Sequence, residues 1–188
     1  MDYQRKINTR KTIIWSVLGL LVLMTVLSSF YVIKSTERGV LSTFGKISET
    51  PVSDGLHIKI PFIQTINKVN IQQKKFDGHE NSYTRDVQTS EVEYTINYDL
   101  VQANVSNLIK NIGENYHERI VVPFIRSAMK EAFGNFNATQ IVENRDAVRK
   151  EIENRLRETL NKNYFTNIQF QLVDIDFDDA FENAIKEK

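Results

Sequence analysis

The first long apolar segment of the chain carries no charge. Residues 13–33 read IIWSVLGLLVLMTVLSSFYVI, and a helix of this length rises about 31 Å, which matches a bilayer core. The alternative is a cleaved secretory signal, but the segment exceeds its usual apolar length and lacks a clean small-residue site. We therefore predict a transmembrane helix over residues 13–33. Its expected membrane-anchor side chains include Ile13, Trp15, Leu20, Leu23, Leu27, Tyr31 and Ile33.

The charges that flank this segment predict its orientation. Arg5, Lys6, Arg10 and Lys11 precede it within a basic flank, residues 1–12, whereas Lys34 and Arg38 follow it. Because cytoplasmic flanks are enriched in Lys and Arg, we expect a cytoplasmic N-terminus and a domain on the far side. The difference between the flanks is moderate, so the opposite orientation stays open.

Alternating apolar and polar positions predict strands after the anchor. The clearest strand covers residues 91–101, where Val92, Ile96 and Leu100 share one face with two tyrosines. Further strands are predicted over residues 35–46, 55–61 and 64–76, with a turn at Asp77 and Gly78. A last strand over residues 167–177 changes its buried phase at 172–173, which predicts a bulge or a change of packing partner there.

Helical periodicity dominates the region between residues 103 and 160. A short helix over residues 103–112 is followed by a second, for which Asn115 and Glu118 are a candidate capping box. Asn137 and Gln140 form another such pair before one long helix that reaches Leu160, and a short helix is predicted over residues 178–188. The fold class is therefore α+β, with a mostly antiparallel sheet and helices packed on one face.

Opposite charges alternate along the long helix at i,i+4 spacing, as in Glu151 and Arg155. A solvated face explains them most simply. The alternative is an interaction surface, and the residues expected to contact a neighbouring protomer are then Arg149, Glu153 and Arg157.

Composition excludes several kinds of chemistry. The 188 residues include no Cys, three His, and 24 basic against 24 acidic side chains. Disulfides and thiolate metal sites are thus excluded, and a net charge of zero gives no basic field for nucleic acid. Asp174, Asp176 and Asp178 imitate a calcium loop, but its glycine and final glutamate are missing. We expect no catalytic residue, cofactor or metal, and therefore no enzyme.

Several strings of the sequence are similar to those of a known family. They are ERGV from Glu37, GLHIKIP from Gly55, RDVQTSEVEYTINYDL from Arg85, NIGENYHERIVVP from Asn111 and FNATQIVENRDAVRKEI from Phe136. Together they resemble the prohibitin-like branch of the SPFH (band 7) family. The resemblance implies an SPFH domain over residues 35–177, in a membrane-anchored scaffold that forms rings and organises membranes or regulates an AAA+ protease of the FtsH type.

The resemblance also implies partners and a location. Expected partners are membrane lipids, further copies of the chain, full-length SPFH homologues and an FtsH-type membrane protease. The bacterial inner membrane is the first expectation for the location, and the mitochondrial inner membrane the second. In similar proteins a long coiled coil follows the position of Lys188, so the resemblance implies either a truncated version of such a protein or a minimal form that assembles with a full-length homologue. The competing hypothesis is a monomeric single-pass receptor domain that binds a ligand on the exposed face of strand 91–101.

Overall fold

A computed structural model describes residues 2–160 and 162–178 of the chain, with side chains from Lys11 onward. Helix α1 spans Asp2–Ser28. Strands β1 (Phe30–Ile33) and β4 (Gly55–Ile58) pair antiparallel into a two-stranded ribbon. Strands β2 (Glu37–Thr43), β3 (Lys46–Ile47) and β5 (Gln64–Asn70) form a small sheet of order β3-β2-β5.

The largest sheet has the order β6-β7-β8 and is antiparallel throughout. Its strands are β6 (Lys74–Tyr83), β7 (Thr89–Leu100) and β8 (Phe165–Phe177). One face of β7 is buried, as its alternation predicts. The side chains concerned are Val92, Tyr94, Ile96, Tyr98 and Leu100.

Helices cover this buried face. They are α2 (Val105–Asn111), α3 (Val122–Phe133), α4 (Ala138–Glu143) and α5 (Arg145–Thr159), with a π-helical turn at His117–Val121. The core lies between them and the sheet, and it includes Ile125, Met129, Ile152, Leu156 and Phe170. The predicted α+β class, with antiparallel pairing and helices on one face, is confirmed.

The predicted bulge in the last strand is confirmed. Glu93 pairs with Asp174, but the next residue, Tyr94, pairs with Leu172, which leaves Val173 without a partner on β7. Arg145 occupies the bulge, since its Nη2 donates to the carbonyl oxygens of Leu172 at 3.1 Å and Val173 at 2.6 Å. The guanidinium thereby satisfies carbonyl groups that the register shift takes out of the ladder.

Three local predictions were wrong. No turn occurs at Asp77 and Gly78, because β6 continues through them and Gly78 makes room for the ring of Tyr94. The long helix is two helices, broken at Asn144, whose φ of −124° and ψ of 41° are not helical.

The third concerns Asn115, whose side chain caps no helix. Its backbone carbonyl instead accepts from the N–H of Arg119, just before the π-helical turn. Pro123 lies in the first turn of α3, where its missing N–H costs no helical hydrogen bond. Apart from Asp178, the helix predicted over residues 178–188 lies outside the described residues.

Candidate membrane interface

Helix α1 ends earlier than its apolar sequence predicts. It stops at Ser28, where the Ser28 and Ser29 hydroxyls both donate to the carbonyl oxygen of Thr25, at 2.9 and 3.0 Å. The candidate span is Lys11–Ser28, and 18 helical residues rise about 27 Å, slightly less than a bilayer core of about 30 Å. The predicted helix over residues 13–33 is therefore too long at its C-terminal end.

The last residues of that apolar segment form β1 instead. Phe-Tyr-Val-Ile is rich in aromatic and β-branched residues, which favour a strand, and β1 finds a partner in β4. On the inner face of the ribbon, Tyr31 stacks on His57 with ring centroids 5.6 Å apart. Ile33 lies on the same face and is only 2% exposed. Gly39 of β2 leaves the space that the Ile33 side chain fills.

The outer face of the ribbon is apolar and open. Leu56 is 68% and Ile58 70% exposed, and Phe30 and Val32 are exposed beside them. No other part of the chain within residues 2–160 and 162–178 covers these side chains. A strand face of this kind is expected to bury its apolar side chains, so its exposure points to a partner outside the described residues.

Two adjacent turns extend this open apolar surface. Phe44, after β2, is 80% exposed, and Phe62, between β4 and β5, is 95% exposed. Both residues have positive φ angles, 48° and 65°, which is unusual for a bulky side chain and costs free energy. The Phe44 N–H donates to the Ile63 carbonyl at 3.0 Å, so the two turns are joined.

Gln64 braces the turn that carries Phe62. Its Oε1 accepts from the Ile60 N–H at 2.9 Å, and its Nε2 donates to Thr43 Oγ1 at 3.3 Å. These hydrogen bonds satisfy the N–H of Ile60 and connect the turn to the end of β2, while the Phe62 side chain is exposed. A buried N–H group costs less free energy in an apolar phase when it is hydrogen-bonded.

The β4–β5 turn also reaches back along the helix. Lys59, Pro61 and Phe62 line a cleft together with Leu21 and Met24 of α1. Leu21 lies seven residues before the helix end, which corresponds to about 10 Å along the axis. The turn is therefore level with the last two turns of the candidate span. Because the ribbon has open edges, the hydrocarbon centre of a bilayer would leave its edge N–H and C=O groups unpaired.

A comparison with protein families places the fold. The family model described as "SPFH domain / Band 7 family" matches residues 31–188. The chain belongs to the SPFH family. The match begins within β1, directly after the candidate span ends. Proteins of the SPFH family are generally non-enzymatic membrane scaffolds.

Curated relatives identify the branch of the SPFH family as prohibitin-like. The chain is similar to mitochondrial Prohibitin-7 of Arabidopsis thaliana, with 22% identity over 92% of this chain and 62% of the relative. It is 28% identical to mitochondrial Prohibitin-4 of the same plant over 69% of this chain and 47% of the relative. It is 23% identical to Prohibitin 1 of Gallus gallus over 70% of this chain and 48% of the relative. The chain thus spans less than two thirds of the length of these relatives.

The structure divides the predicted anchor residues of this SPFH protein into two groups. Five are exposed side chains on α1. They are Ile13, Trp15, Leu20, Leu23 and Leu27. The other two, Tyr31 and Ile33, lie on the inner face of the ribbon and pack against protein, so their assignment to a lipid-facing helix was wrong.

Sequence reasoning missed the exposed Phe44 and Phe62 altogether. The available signal was a large aromatic residue beside a turn residue, as in Phe44-Gly45 and Pro61-Phe62. Turn tips are normally polar, so aromatic tips indicate a contact outside the domain.

The three predicted oligomer-contact residues form an ion-pair row on α5. Glu153 accepts from Arg149 Nη1 at 3.2 Å and from Arg157 Nη2 at 2.7 Å. Its Oε2 also accepts from the backbone N–H of Phe170 at 3.2 Å, on the outer edge of β8. Glu153 therefore protects an edge strand within its own domain, while the two arginines flank it. Their contact with a neighbouring protomer stays a prediction.

In residues 2–160 and 162–178, no group of three or more His, Asp or Glu side chains is placed to hold a metal ion. The feature that these residues do form is an exposed apolar surface. It consists of the apolar helix α1, the uncovered outer face of the ribbon, and the exposed side chains of Phe44 and Phe62.

Proposed function

We propose that this chain is a non-enzymatic, membrane-anchored scaffold subunit. Helix α1 is the anchor, and the outer face of the ribbon with Phe44 and Phe62 rests in the headgroup boundary of the same membrane. The observation that carries the proposal is this continuous apolar surface, which starts on the span and has no protein cover in the described residues. Family membership supports it, because SPFH proteins are generally membrane scaffolds.

Cysteine accessibility tests the membrane contact. The natural chain contains no Cys, so single cysteines can be introduced as probes. Ile58→Cys lies on the ribbon, whereas Val142→Cys on α4 is a matched control at a side chain that is also well exposed, 57%. After reconstitution with the domain outside, a membrane-impermeant maleimide should label the Val142→Cys variant readily and the Ile58→Cys variant poorly. Equal labelling of both variants, in vesicles and in detergent alike, would contradict the membrane contact.

Assembly is the second part of the proposal. The scaffold forms ring-like assemblies with copies of itself or with longer SPFH homologues, and Arg149 and Arg157 on α5 contact the neighbouring protomer. Size analysis of the detergent-extracted chain, alone and with a full-length homologue, tests this. A high-mass complex is expected in at least one case, and it should shrink in the double variant Arg149→Ala, Arg157→Ala. A monomer in both cases would reject the assembly.

Regulation of a membrane-bound AAA+ protease is the third part of the proposal, and the family supports it. The N-terminus lies in the cytoplasm and the domain on the far side of a bacterial inner membrane, or of a mitochondrial one. The basic N-terminal flank supports this orientation. Affinity isolation from native membranes should recover an FtsH-type protease with the high-mass fraction. Recovery of the scaffold without any protease would reject this part and leave the anchor untouched.

One observation favours a second candidate, a monomeric single-pass binding domain. The face of the β6-β7-β8 sheet opposite the helices is open and polar, with Glu93 exposed and Asn97 and Asp99 half-buried. Thr95 on this face donates to Asp77, which holds the pKa of that carboxyl below its usual value. This candidate would be favoured over the scaffold if a soluble ligand binds with 1:1 stoichiometry, if Glu93→Ala abolishes that binding, and if the binding persists when the protein is diluted to the monomer.

A further inference from the structure

A cleft lies between the end of the span and the β4–β5 turn. Its volume is about 480 Å³. One wall comes from α1 and the other from the turn. The lining residues are Leu21, Met24, Thr25, Ser28, Lys59, Pro61 and Phe62.

The hydroxyl groups in this cleft are already bonded within the helix. Thr25 Oγ1 donates to the Leu21 carbonyl at 2.8 Å, and Ser28 Oγ donates to the Thr25 carbonyl at 2.9 Å. They therefore present carbon and satisfied oxygen to the cleft. With Leu21, Met24 and Phe62 as the larger side chains, the wall is suited to a hydrocarbon chain rather than to a polar solute.

Lys59 is the single charged residue of the lining. Its backbone N–H donates to the Ser29 carbonyl at 2.8 Å, which fixes β4 beside the helix end. Among the described residues, Lys59 takes part in none of the ion pairs. The chain thus places an unpaired cation at the mouth of an apolar cleft, where an external anion is the natural counter-charge.

The depth of the cleft identifies the class of anion. Its apolar part lies along the last two turns of the candidate span, and Lys59 lies beside the helix end. If the helix spans a bilayer, its end is level with the headgroups. A flexible lysine stem can follow apolar surface and keep its ammonium among phosphates. A molecule with a hydrocarbon chain and a phosphate, held at this depth, is a phospholipid.

We propose that the cleft binds one anionic phospholipid, with its phosphate on Lys59 and an acyl chain along Leu21, Met24 and Phe62. The inference rests on the proposed membrane anchor and adds a lipid preference to it. An alternative explanation is that Lys59 only balances the partial negative charge at the C-terminus of α1. That explanation predicts no preference between headgroups.

Native mass spectrometry of the full chain in detergent tests the site. Phosphatidylglycerol and phosphatidylcholine with identical acyl chains are added in competition. The wild type should retain one phosphatidylglycerol, with a preference of about fivefold for a single cationic contact. Lys59→Met should remove the preference and Lys59→Arg should keep it. Lys46→Met is the matched control, because Lys46 is an exposed lysine at the start of the nearby strand β3 and does not line the cleft.

Three outcomes would overturn the site. They are the absence of a headgroup preference in the wild type, an unchanged preference in Lys59→Met, and an equal loss in Lys46→Met. Glycerophosphoglycerol, the soluble headgroup alone, should not displace the lipid at equal concentration. If it does, the cleft binds phosphate esters and no acyl chain, which also rejects the proposal.

The anchor is checked separately by alkaline extraction from vesicles of pure phosphatidylcholine. Wild type and Lys59→Met should both stay in the membrane, because the span does not depend on the lipid site. Extraction of the wild type would reject the membrane anchor itself. Retention of both proteins together with no headgroup preference would reject only the lipid site.

Discussion

Strand β4 of the ribbon and strand β7 of the large sheet have the same sequence pattern but lie in different surroundings. On both strands, apolar side chains alternate with polar ones. On β7 those side chains are buried under helices, and Ile96 is fully covered; on β4 Ile58 is 70% exposed. Alternation therefore predicts that a strand has an apolar face, but it does not say whether protein or lipid covers that face.

The two isoleucines offer the strongest test of this contrast. Ile96→Ala removes buried methyl groups from the core and should lower the free energy of unfolding by about 2–5 kcal/mol. Ile58→Ala removes the same groups from an open face and should change it by less than about 0.5 kcal/mol. Urea unfolding of the full chain in mild detergent, followed by far-UV circular dichroism, measures both.

A large cost for Ile58→Ala in detergent would mean that protein covers the ribbon after all. The ribbon variant should instead weaken contact with vesicles. Ile96→Ala, if it remains folded, should contact vesicles as the wild type does. The two regions are distinguished if Ile96→Ala lowers only the stability and Ile58→Ala weakens only the contact with vesicles.

Two glycines permit close packing in the two regions, and they should differ in cost. A Cβ on Gly78 would lie 2.5 Å from the Tyr94 ring, which is held in the core. Gly78→Ala should therefore cost about 1–3 kcal/mol through overpacking. A Cβ on Gly39 would meet Cδ1 of Ile33, the mobile end of a side chain, at the same distance. Gly39→Ala should cost less, and thermal unfolding of both variants in detergent gives the order.

Much of the covered region could be predicted from the sequence. The buried face of β7, the bulge near Val173 and the cap at Asn137 all follow from local patterns, because the periodicity and the capping chemistry act over a few residues. The turn predicted at Asp77 and Gly78 failed because the glycine serves a cross-strand contact with Tyr94, which lies 16 positions later. Local composition does not encode such a contact.

The ribbon and the cleft beside it were less predictable. Residues 30–33 continue an apolar run, so hydropathy alone extends the helix through them. Pairing with β4, more than twenty residues away, decides otherwise. The cleft around Lys59 likewise joins segments that are far apart in sequence. The N-terminal apolar helix itself was predictable because a long uncharged run needs no tertiary information.

Substitution of two asparagines tests how much helix capping stabilises the helices that cover the large sheet. Asn137 and Gln140 form the predicted capping box, in which the Asn137 N–H donates to Gln140 Oε1 at 3.0 Å, and Asn137 Oδ1 also accepts from Arg85 at 3.0 Å. Asn137→Ala should lower the free energy of unfolding by about 1 kcal/mol. Asn115→Ala is the matched control and should be near neutral, since the Asn115 side chain caps no helix. If both variants lowered the free energy of unfolding equally, Asn115 would cap a helix as the sequence predicts.

Two histidines that stack on aromatic rings, one in each region, should have the smallest effect on stability. His117 stacks on Phe76 with centroids 3.5 Å apart and shares a hydrogen bond with Tyr98 through Nδ1, at 3.1 Å. Burial lowers the pKa of His117 below its usual value of 6.5, although Glu118 opposes the shift. The unfolded chain therefore binds the proton at higher pH than the folded one. This part of the stability is present above about pH 6.5 and is lost as the pH falls from that value through the lowered pKa of the folded state.

Unfolding of the wild type at pH values from about 7.5 to 5.5 should show this loss. His117→Phe should flatten the dependence, because it keeps an aromatic ring beside Phe76 and removes the titrating group. His57→Gln in the ribbon is the control and should leave the dependence in place, since the His57 ring stacks on Tyr31 outside the helix-covered core. If the His57 variant flattened the curve instead, the pH-sensitive packing would belong to the membrane-facing ribbon and not to the covered sheet.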